Sequence, residues 1–364
     1  MASIKDQVNT LVGSRPLAIL KGAGKLVSRP DPPPPLQVSF DAAAPATVPA
    51  CPHGELGRVP APRPRVISAS KRTDIPAFYL HWFRERCEQG WVDVPNPMFR
   101  RASDPLQRLS HVSLQPDHVL AIVWWSKNYA VYERLHPAFA RYPVQYFQFT
   151  INPRRADLAW LEPDVPPLEE ALRQVRFLAG LHAPEMVAWR YDPLVFWQRD
   201  GRAECSWDAE FFEAMCRALA HTGIRQAFTS VADRYPKFER RIRRFMPRVA
   251  LRDPQPEELD TIATHMRQVA AHYGLRLVAC TESSLTARGL RRGACIDGAL
   301  LGGACGRRVS TAPATDMKMK GREECGCTLH TDVGDYVAQE CGYSCIYCYA
   351  NPNHRRFRDR AQQL

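Results

Sequence analysis

Val119-Leu120-Ala121-Ile122-Val123-Trp124-Trp125-Ser126-Lys127-Asn128 is an apolar run that ends abruptly in a cation and an amide. Five further runs end in the same way. Val66–Ser70 leads into Lys71-Arg72-Thr73-Asp74, Val144–Thr150 into Asn152, Met186–Trp189 into Arg190 and Asp192, Gln226–Ser230 into Asp233, and Arg276–Cys280 into Glu282. The runs are short and β-rich, and helical stretches at 77–89, 168–181, 209–221 and 257–273 separate several of them. That alternation predicts a parallel sheet built with helical crossovers. In a parallel β/α barrel the C-terminal strand ends share one face, where active sites are built. The expected fold is therefore α/β, a TIM-like parallel β/α barrel, complete or partial, whose mouth carries Arg72, Asp74, Lys127, Arg190 and Asp192. Each of these also reads individually as a cap or turn residue, Asp74 before Ile75-Pro76 and Asp192 before Pro193 being the clearest. A further strand is expected at Val92–Pro97, where prolines limit any ladder.

The chain has 364 residues with 45% hydrophobic content, enough for a barrel of about 250 residues with a tail to spare. No long apolar run reads as a membrane span, and the first residues lack a basic segment leading into an apolar stretch, so a cytoplasmic, bacterial-type protein is expected. Residues 1–64 read as a mostly disordered Pro-rich leader, with Pro32-Pro33-Pro34-Pro35 and the Pro60, Pro62, Pro64 series favouring extended backbone. Residues 65–320 form the expected barrel and 321–364 a cysteine-rich segment packed on its mouth. The net charge of +11 is local: residues 234–252 hold eight basic groups and one acidic group. Phe238, Ile242, Phe245 and Val249 recur there at helical spacing, which predicts an amphipathic helix with Lys237, Arg240, Arg241, Arg244 and Arg248 facing water. Such a face, extended by His354-Arg355-Arg356-Phe357-Arg358, suits nucleic-acid phosphates, although a solvated helix is the favoured reading because no recognisable nucleic-acid module accompanies it.

Eight of the twelve cysteines lie between residues 280 and 348. The run Cys341-Gly342-Tyr343-Ser344-Cys345-Ile346-Tyr347-Cys348-Tyr349-Ala350-Asn351 spaces three thiolates so that they can hold three irons of a cubane cluster and leave the fourth iron open. An open iron can bind a cofactor. Three other readings compete: a helix with three buried core thiols, disfavoured by Gly342 and Ser344; zinc, with Cys325, Cys327, His330 or His354 as fourth ligand; and disulfides, disfavoured in a reducing compartment. Cys280, Cys295, Cys325 and Cys327 make a complete set of four that could hold a second cluster or a zinc ion. Cys87, Cys205 and Cys216 fall in helical stretches and read as core, and Cys51 with His53 in the leader reads as incidental.

Ser70-Lys71-Arg72-Thr73-Asp74-Ile75-Pro76-Ala77-Phe78-Tyr79, Asn96-Pro97, Trp125-Ser126-Lys127-Asn128, Phe147-Gln148-Phe149-Thr150, Trp189-Arg190-Tyr191-Asp192-Pro193, Cys295-Ile296-Asp297 and the terminal cysteine run together resemble the bacterial family called domain of unknown function 1848. The resemblance covers nearly everything from Val66 to Asn351. That family is uncharacterised, and its terminal cysteines are similar to the cluster loop of radical-SAM proteins, whose pattern includes an aromatic residue before the third cysteine, here Tyr347. The resemblance implies a 4Fe-4S cluster on Cys341, Cys345 and Cys348. It further implies S-adenosylmethionine as cofactor, a 5′-deoxyadenosyl radical acting on an unknown substrate, and an electron donor such as flavodoxin or ferredoxin. Only sixteen residues follow Cys348, so the barrel must precede the cluster, and the expectation is spatial: the three thiols should lie beside Arg72, Asp74, Lys127, Arg190 and Asp192. Two alternatives remain open: a barrel lyase or hydrolase using Lys127 as an imine-forming base or a metal-bound water, with structural cysteines, and a non-catalytic zinc or iron–sulfur module that contacts nucleic acid.

Overall fold

The structure, a computed structural model, describes residues 64–96, 108–314 and 325–350. The expected leader up to residue 63, Pro97, the 320/321 boundary, His354 and the Arg-rich tail lie outside the described residues. In chain order the strands are β1 (Arg65–Ala69), β2 (Trp91–Pro95), β3 (Leu109–Ser113), β4 (Val119–Ser126), β5 (Gln145–Thr150), β6 (Val187–Leu194), β7 (Phe196–Arg199), β8 (Arg202–Cys205), β9 (Gln226–Val231), β10 (Val249–Leu251), β11 (Arg276–Ala279), β12 (Arg291–Arg292) and β13 (Thr331–Asp332). Eight of them form one sheet in the order β12-β11-β9-β6-β5-β4-β1-β13, and every neighbouring pair is parallel. All six apolar runs fall in this sheet. The Val92–Pro97 run does not, for it makes the antiparallel hairpin β2–β3 instead.

The side chains alternate between two faces, as strand geometry requires. Ile67, Ile122, Trp124, Phe147, Phe149, Trp189 and Tyr191 belong to one core cluster, which also takes in the helices Leu80–Gln89, Leu168–Leu181, Ala209–Thr222 and Pro256–His272. Val66, Val123, Tyr146, Ala188, Phe228 and Val278 belong to a second cluster with Cys295, Ile296, Leu301, Cys325 and Cys327. That second face would be the interior of a closed barrel, whose tiers of strand side chains fill it. Here a returning chain segment, including the helix Gly298–Cys305, occupies it. The barrel accordingly does not close: β12 and β13, two residues each, end the sheet without pairing to one another.

The edge strand β13 is what brings the C-terminal segment to the site. Asp332 accepts from Ser68 Oγ at 2.9 Å, Ser70 Oγ at 2.6 Å and the Lys71 backbone N–H at 2.6 Å, stitching β13 to the end of β1. Gly334 passes so close that a Cβ there would stand 2.1 Å from Ser70 Oγ. Losing three such acceptor contacts at once costs about 2–4 kcal/mol. We expect Asp332→Ala to lower the free energy of urea unfolding by that amount, and an unchanged midpoint would refute this role.

The basic segment differs from its sequence reading. The helix spans Pro236–Phe245 and stops before Pro247, which cannot donate to the preceding turn, so Val249 lies in β10. Among the described residues no helix is long and apolar enough to cross a membrane.

Candidate functional site

A cavity of about 330 Å³ opens at the C-terminal ends of the strands. Lys71, Lys127 and Arg190 bring cations to its wall, Asp192, Asp233 and Glu282 bring carboxylates, and Trp125 and Tyr235 bring rings. Its volume lies within the range of small-molecule sites, about 300–1,000 Å³. Both thiol groups of the sequence reach it, Cys348 from the terminal run and Cys280, Cys295, Cys325 and Cys327 from the other set.

Arg190 and Asp192 project from β6 on the face toward the returning segment. Arg190 donates through Nε at 3.0 Å and Nη2 at 2.5 Å to Asp192 Oδ2, and through Nη1 to Gln148 Oε1 at 3.2 Å and Cys295 Sγ at 3.1 Å. Burial works against the guanidinium charge, but Asp192 and the Cys295 thiol outweigh it and hold Arg190 firmly cationic. Asp192 accepts from Ser230 Oγ as well, and Arg190 keeps its carboxyl below the usual range despite burial. Pro193 cannot donate to the ladder, and the β6–β9 pairing shifts register between Tyr191 and Leu194. Arg190 is thus a fixed cation shared between the cavity and the Cys295 sulfur.

Lys127 is held by a residue the sequence did not single out. Glu162 accepts from Lys127 Nζ at 2.9 Å, Arg154 Nη1 at 2.8 Å and Asn152 Nδ2 at 2.6 Å, and also from the Tyr347 hydroxyl. Burial alone would raise the Glu162 carboxyl, but Lys127 and Arg154 outweigh it and hold the group down at about 2. A lysine committed to such an ion pair is poorly placed as an imine-forming amine, so the geometry does not favour the Lys127 lyase reading. Nothing in the loop Trp160-Leu161-Glu162-Pro163 marks Glu162 in the sequence.

The terminal cysteine run is a loop, not a helix. Ser344 has φ +53°, in the left-handed region that interrupts any helical path. Gly342 lets the backbone cross Phe78, where a Cβ would meet the ring at 2.8 Å. Cys341 is within electrostatic reach of Asp74, Cys345 of Lys127, Glu162 and Arg154, and the three thiols of one another. Burial pushes the Cys341 and Cys345 thiols up, and for Cys345 the neighbouring Lys127 and Arg154 oppose it. The Tyr347 ring stands 5.9 Å from Lys127 Nζ.

Arg241 corrects the expected orientation of the basic helix. It is buried rather than facing water, and its Nη1 donates to the carbonyls of Ile346 at 3.0 Å and Cys348 at 2.5 Å. Lys237 Nζ donates to the Tyr349 carbonyl at 3.1 Å. Arg240, Arg243, Arg244 and Arg248 remain exposed. The helix therefore clamps the cysteine loop with two of its cations. Charged hydrogen bonds of this kind contribute about 1.5–3 kcal/mol, so Arg241→Ala should speed alkylation of Cys348 by tenfold or more. An unchanged rate would contradict the clamp.

Arg72 and Asp74 sit beside the cavity rather than on its wall. Arg72 Nη1 donates to the carbonyls of Pro95 at 3.0 Å and Gly334 at 3.1 Å, and its Nε lies 3.5 Å from Asp332, so it braces the returning chain instead of offering a free anion site. Asp74 accepts from Ala77 N–H at 3.0 Å, Lys127 N–H at 3.0 Å and Ser126 Oγ at 2.8 Å. Burial nevertheless raises its carboxyl to about 7 against those hydrogen bonds. Its cap role orients the Lys127 loop next to Cys341.

Among the described residues no three His, Cys, Asp or Glu side chains are arranged around a point as ligands of one ion. A cluster loop is judged instead by its donors. Three thiolates and an anionic cluster need compensating charge, and Arg241 acts on Cys348 and Cys345 while Lys127 and Arg154, partly offset by Glu162, act on Cys345. The donor set fits a three-thiolate cluster in that respect.

A model of the family described as "Domain of unknown function (DUF1848)" matches residues 66–350. No curated protein matches. Among solved structures, a crystal structure of D-hydantoinase aligns at 12% identity with a TM-score of 0.25, covering 56% of this chain and 45% of its own. A structure described as "a putative alpha-L-fucosidase" from Bacteroides thetaiotaomicron VPI-5482 aligns at 12% identity with a TM-score of 0.26, covering 69% and 85%. At such scores neither carries an argument.

Proposed function

The chain belongs to the DUF1848 family, and on that premise we propose that it is a radical-SAM-like iron–sulfur enzyme whose substrate site is the cavity at the strand ends. Cys341, Cys345 and Cys348 would hold a 4Fe-4S cluster, with S-adenosylmethionine in the cavity. When bound, this pair supplies one-electron cleavage of the sulfonium and a hydrogen-abstracting radical.

The observation that carries the reading is the convergence of the terminal loop on the polar strand ends: Tyr347 and Cys348 line one cavity with Lys127, Arg190 and Asp192. In this reading the chain's own groups bind and orient. The mixed wall, Lys71, Lys127 and Arg190 against Asp192, Asp233 and Glu282, suits a zwitterion such as an amino-acid head with a sulfonium. Glu162 keeps Lys127 and Tyr347 in place, and the Arg190–Asp192 pair fixes a second polar anchor. Trp125, whose Nε1 donates to Ser68 Oγ at 3.0 Å, offers a ring beside Arg190 for stacking a base. An acidic electron-donor protein of the flavodoxin or ferredoxin kind would meet the exposed Arg240 and Arg244, on the helix whose buried side holds the cysteine loop.

The test is anaerobic. Protein reconstituted with iron and sulfide and reduced with dithionite should give an electron paramagnetic resonance signal that changes when S-adenosylmethionine is added. A reduced-cluster signal indifferent to S-adenosylmethionine would overturn the open-iron reading.

A further inference from the structure

We infer that Cys280, Cys295, Cys325 and Cys327 form a second site, a four-thiolate seat for a soft metal centre, zinc or an iron–sulfur cluster, on the wall of the same cavity. Cys280 follows β11, Cys295 follows β12, and Cys325 and Cys327 arrive with the segment returning to β13. The Sγ atoms of Cys280 and Cys295 are 2.9 Å apart. Cys327 Sγ accepts from the N–H of Ile296, the residue after Cys295, at 3.4 Å, and all four cysteines line the same cavity wall. Cys295, Cys325 and Cys327 belong to one buried cluster, with Cys280 packed against it.

Buried core thiols would need no such gathering and no donors. Here Arg190 Nη1 points to Cys295 Sγ at 3.1 Å and the Ile296 N–H to Cys327 Sγ at 3.4 Å. Donors aimed at sulfur are what thiolate ligands attract, and such bonds tune a metal centre. All four cysteines are free, and 2.9 Å is well beyond the S–S bond of about 2.05 Å. The Cys280–Cys295 contact of 2.9 Å is too short for two ligands of one ion, since tetrahedral Zn–S bonds of about 2.3 Å put thiolates about 3.8 Å apart, so binding must open it. Donors that are all sulfur select zinc or iron–sulfur centres over harder metals. Full ligation leaves no open position, which assigns this site to structure or electron transfer rather than to holding a cofactor. Because Arg190 touches both Cys295 and Asp192, the site is coupled to whatever the cavity binds.

The two cysteine sets share no ligand, so this inference stands or falls apart from the proposed function. The experiment uses the full chain purified anaerobically, with iron, sulfide and zinc counted per chain. A Cys341→Ala/Cys345→Ala/Cys348→Ala triple variant should retain one metal centre, and a Cys325→Ser/Cys327→Ser double variant should lose that same increment. Zinc in the retained centre names one source and iron with sulfide the other. Because either variant can misfold, alkylation of the wild-type chain is read by mass spectrometry as well: the four thiols should be protected until a chelator is added. A folded triple variant without metal overturns the inference. So do four thiols alkylated equally with and without chelator, or a Cys280–Cys295 disulfide in the anaerobic protein.

Discussion

Cys345→Ser should remove about four iron and four sulfide from each anaerobically purified chain and lower S-adenosylmethionine cleavage at least a hundredfold. Cys345 is buried, unlike Cys341 and Cys348, and within electrostatic reach of Lys127, Glu162 and Arg154. A serine hydroxyl is a hard, weakly acidic donor and a poor replacement for a thiolate on iron. The fold should tolerate the change, since what holds this loop is its backbone: Ile346 N–H donates to the Leu161 carbonyl at 3.0 Å, and Cys348 N–H to the Cys345 carbonyl at 3.1 Å. Cys216→Ser in the core helix Ala209–Thr222 is the control, expected to leave iron unchanged. Equal iron in wild type and Cys345→Ser would remove the cluster from this loop.

Glu162→Gln should destabilise the chain by about 3 kcal/mol at neutral pH, because Lys127 and Arg154, only 13% and 17% exposed, would be left as partly buried cations without their counter-charge. The pH dependence has a definite sign. Glu162 is held at about 2 against an ordinary 4.5, so its ionised form is favoured by folding. Its contribution, about 3 kcal/mol at 1.36 kcal/mol per pH unit, is complete above about pH 5 and is lost as pH falls toward 2. Asp74 acts oppositely: its raised carboxyl loses folding free energy as pH rises from about 4 to 7. The difference between wild type and Glu162→Gln isolates Glu162. Urea unfolding should show a wide gap at pH 7 that narrows at pH 3, and a gap independent of pH would contradict this electrostatic origin.

The parallel sheet was legible in the sequence because six of its strands are apolar runs with polar ends, and Arg190, Asp192 and Lys127 were found by that rule. The two remaining strands were not, since Arg291–Arg292 and Thr331–Asp332 are two residues long and carry no periodicity. Their brevity is also why the expected barrel stays open. Arg241 was misassigned to solvent because helical spacing marks a polar stripe without saying what covers it; here the carbonyls of Ile346 and Cys348 do. Arg72 and Asp74 were placed in the right neighbourhood, yet their partners are backbone groups, Ser126 and Asp332 rather than the cavity. Glu162 depends on a loop fold that no pattern encodes. The cysteine spacings were legible, while the meeting of Cys348 with the four upstream cysteines on one cavity wall required the fold.

The central claim is that the terminal thiols and the cavity together cleave S-adenosylmethionine. Its most direct measurement is chromatographic assay of 5′-deoxyadenosine and methionine from reconstituted, dithionite-reduced wild-type protein, with the Cys345→Ser variant alongside. Both products should form with wild type and neither with the variant. A fully loaded wild-type cluster that yields no 5′-deoxyadenosine would contradict the account.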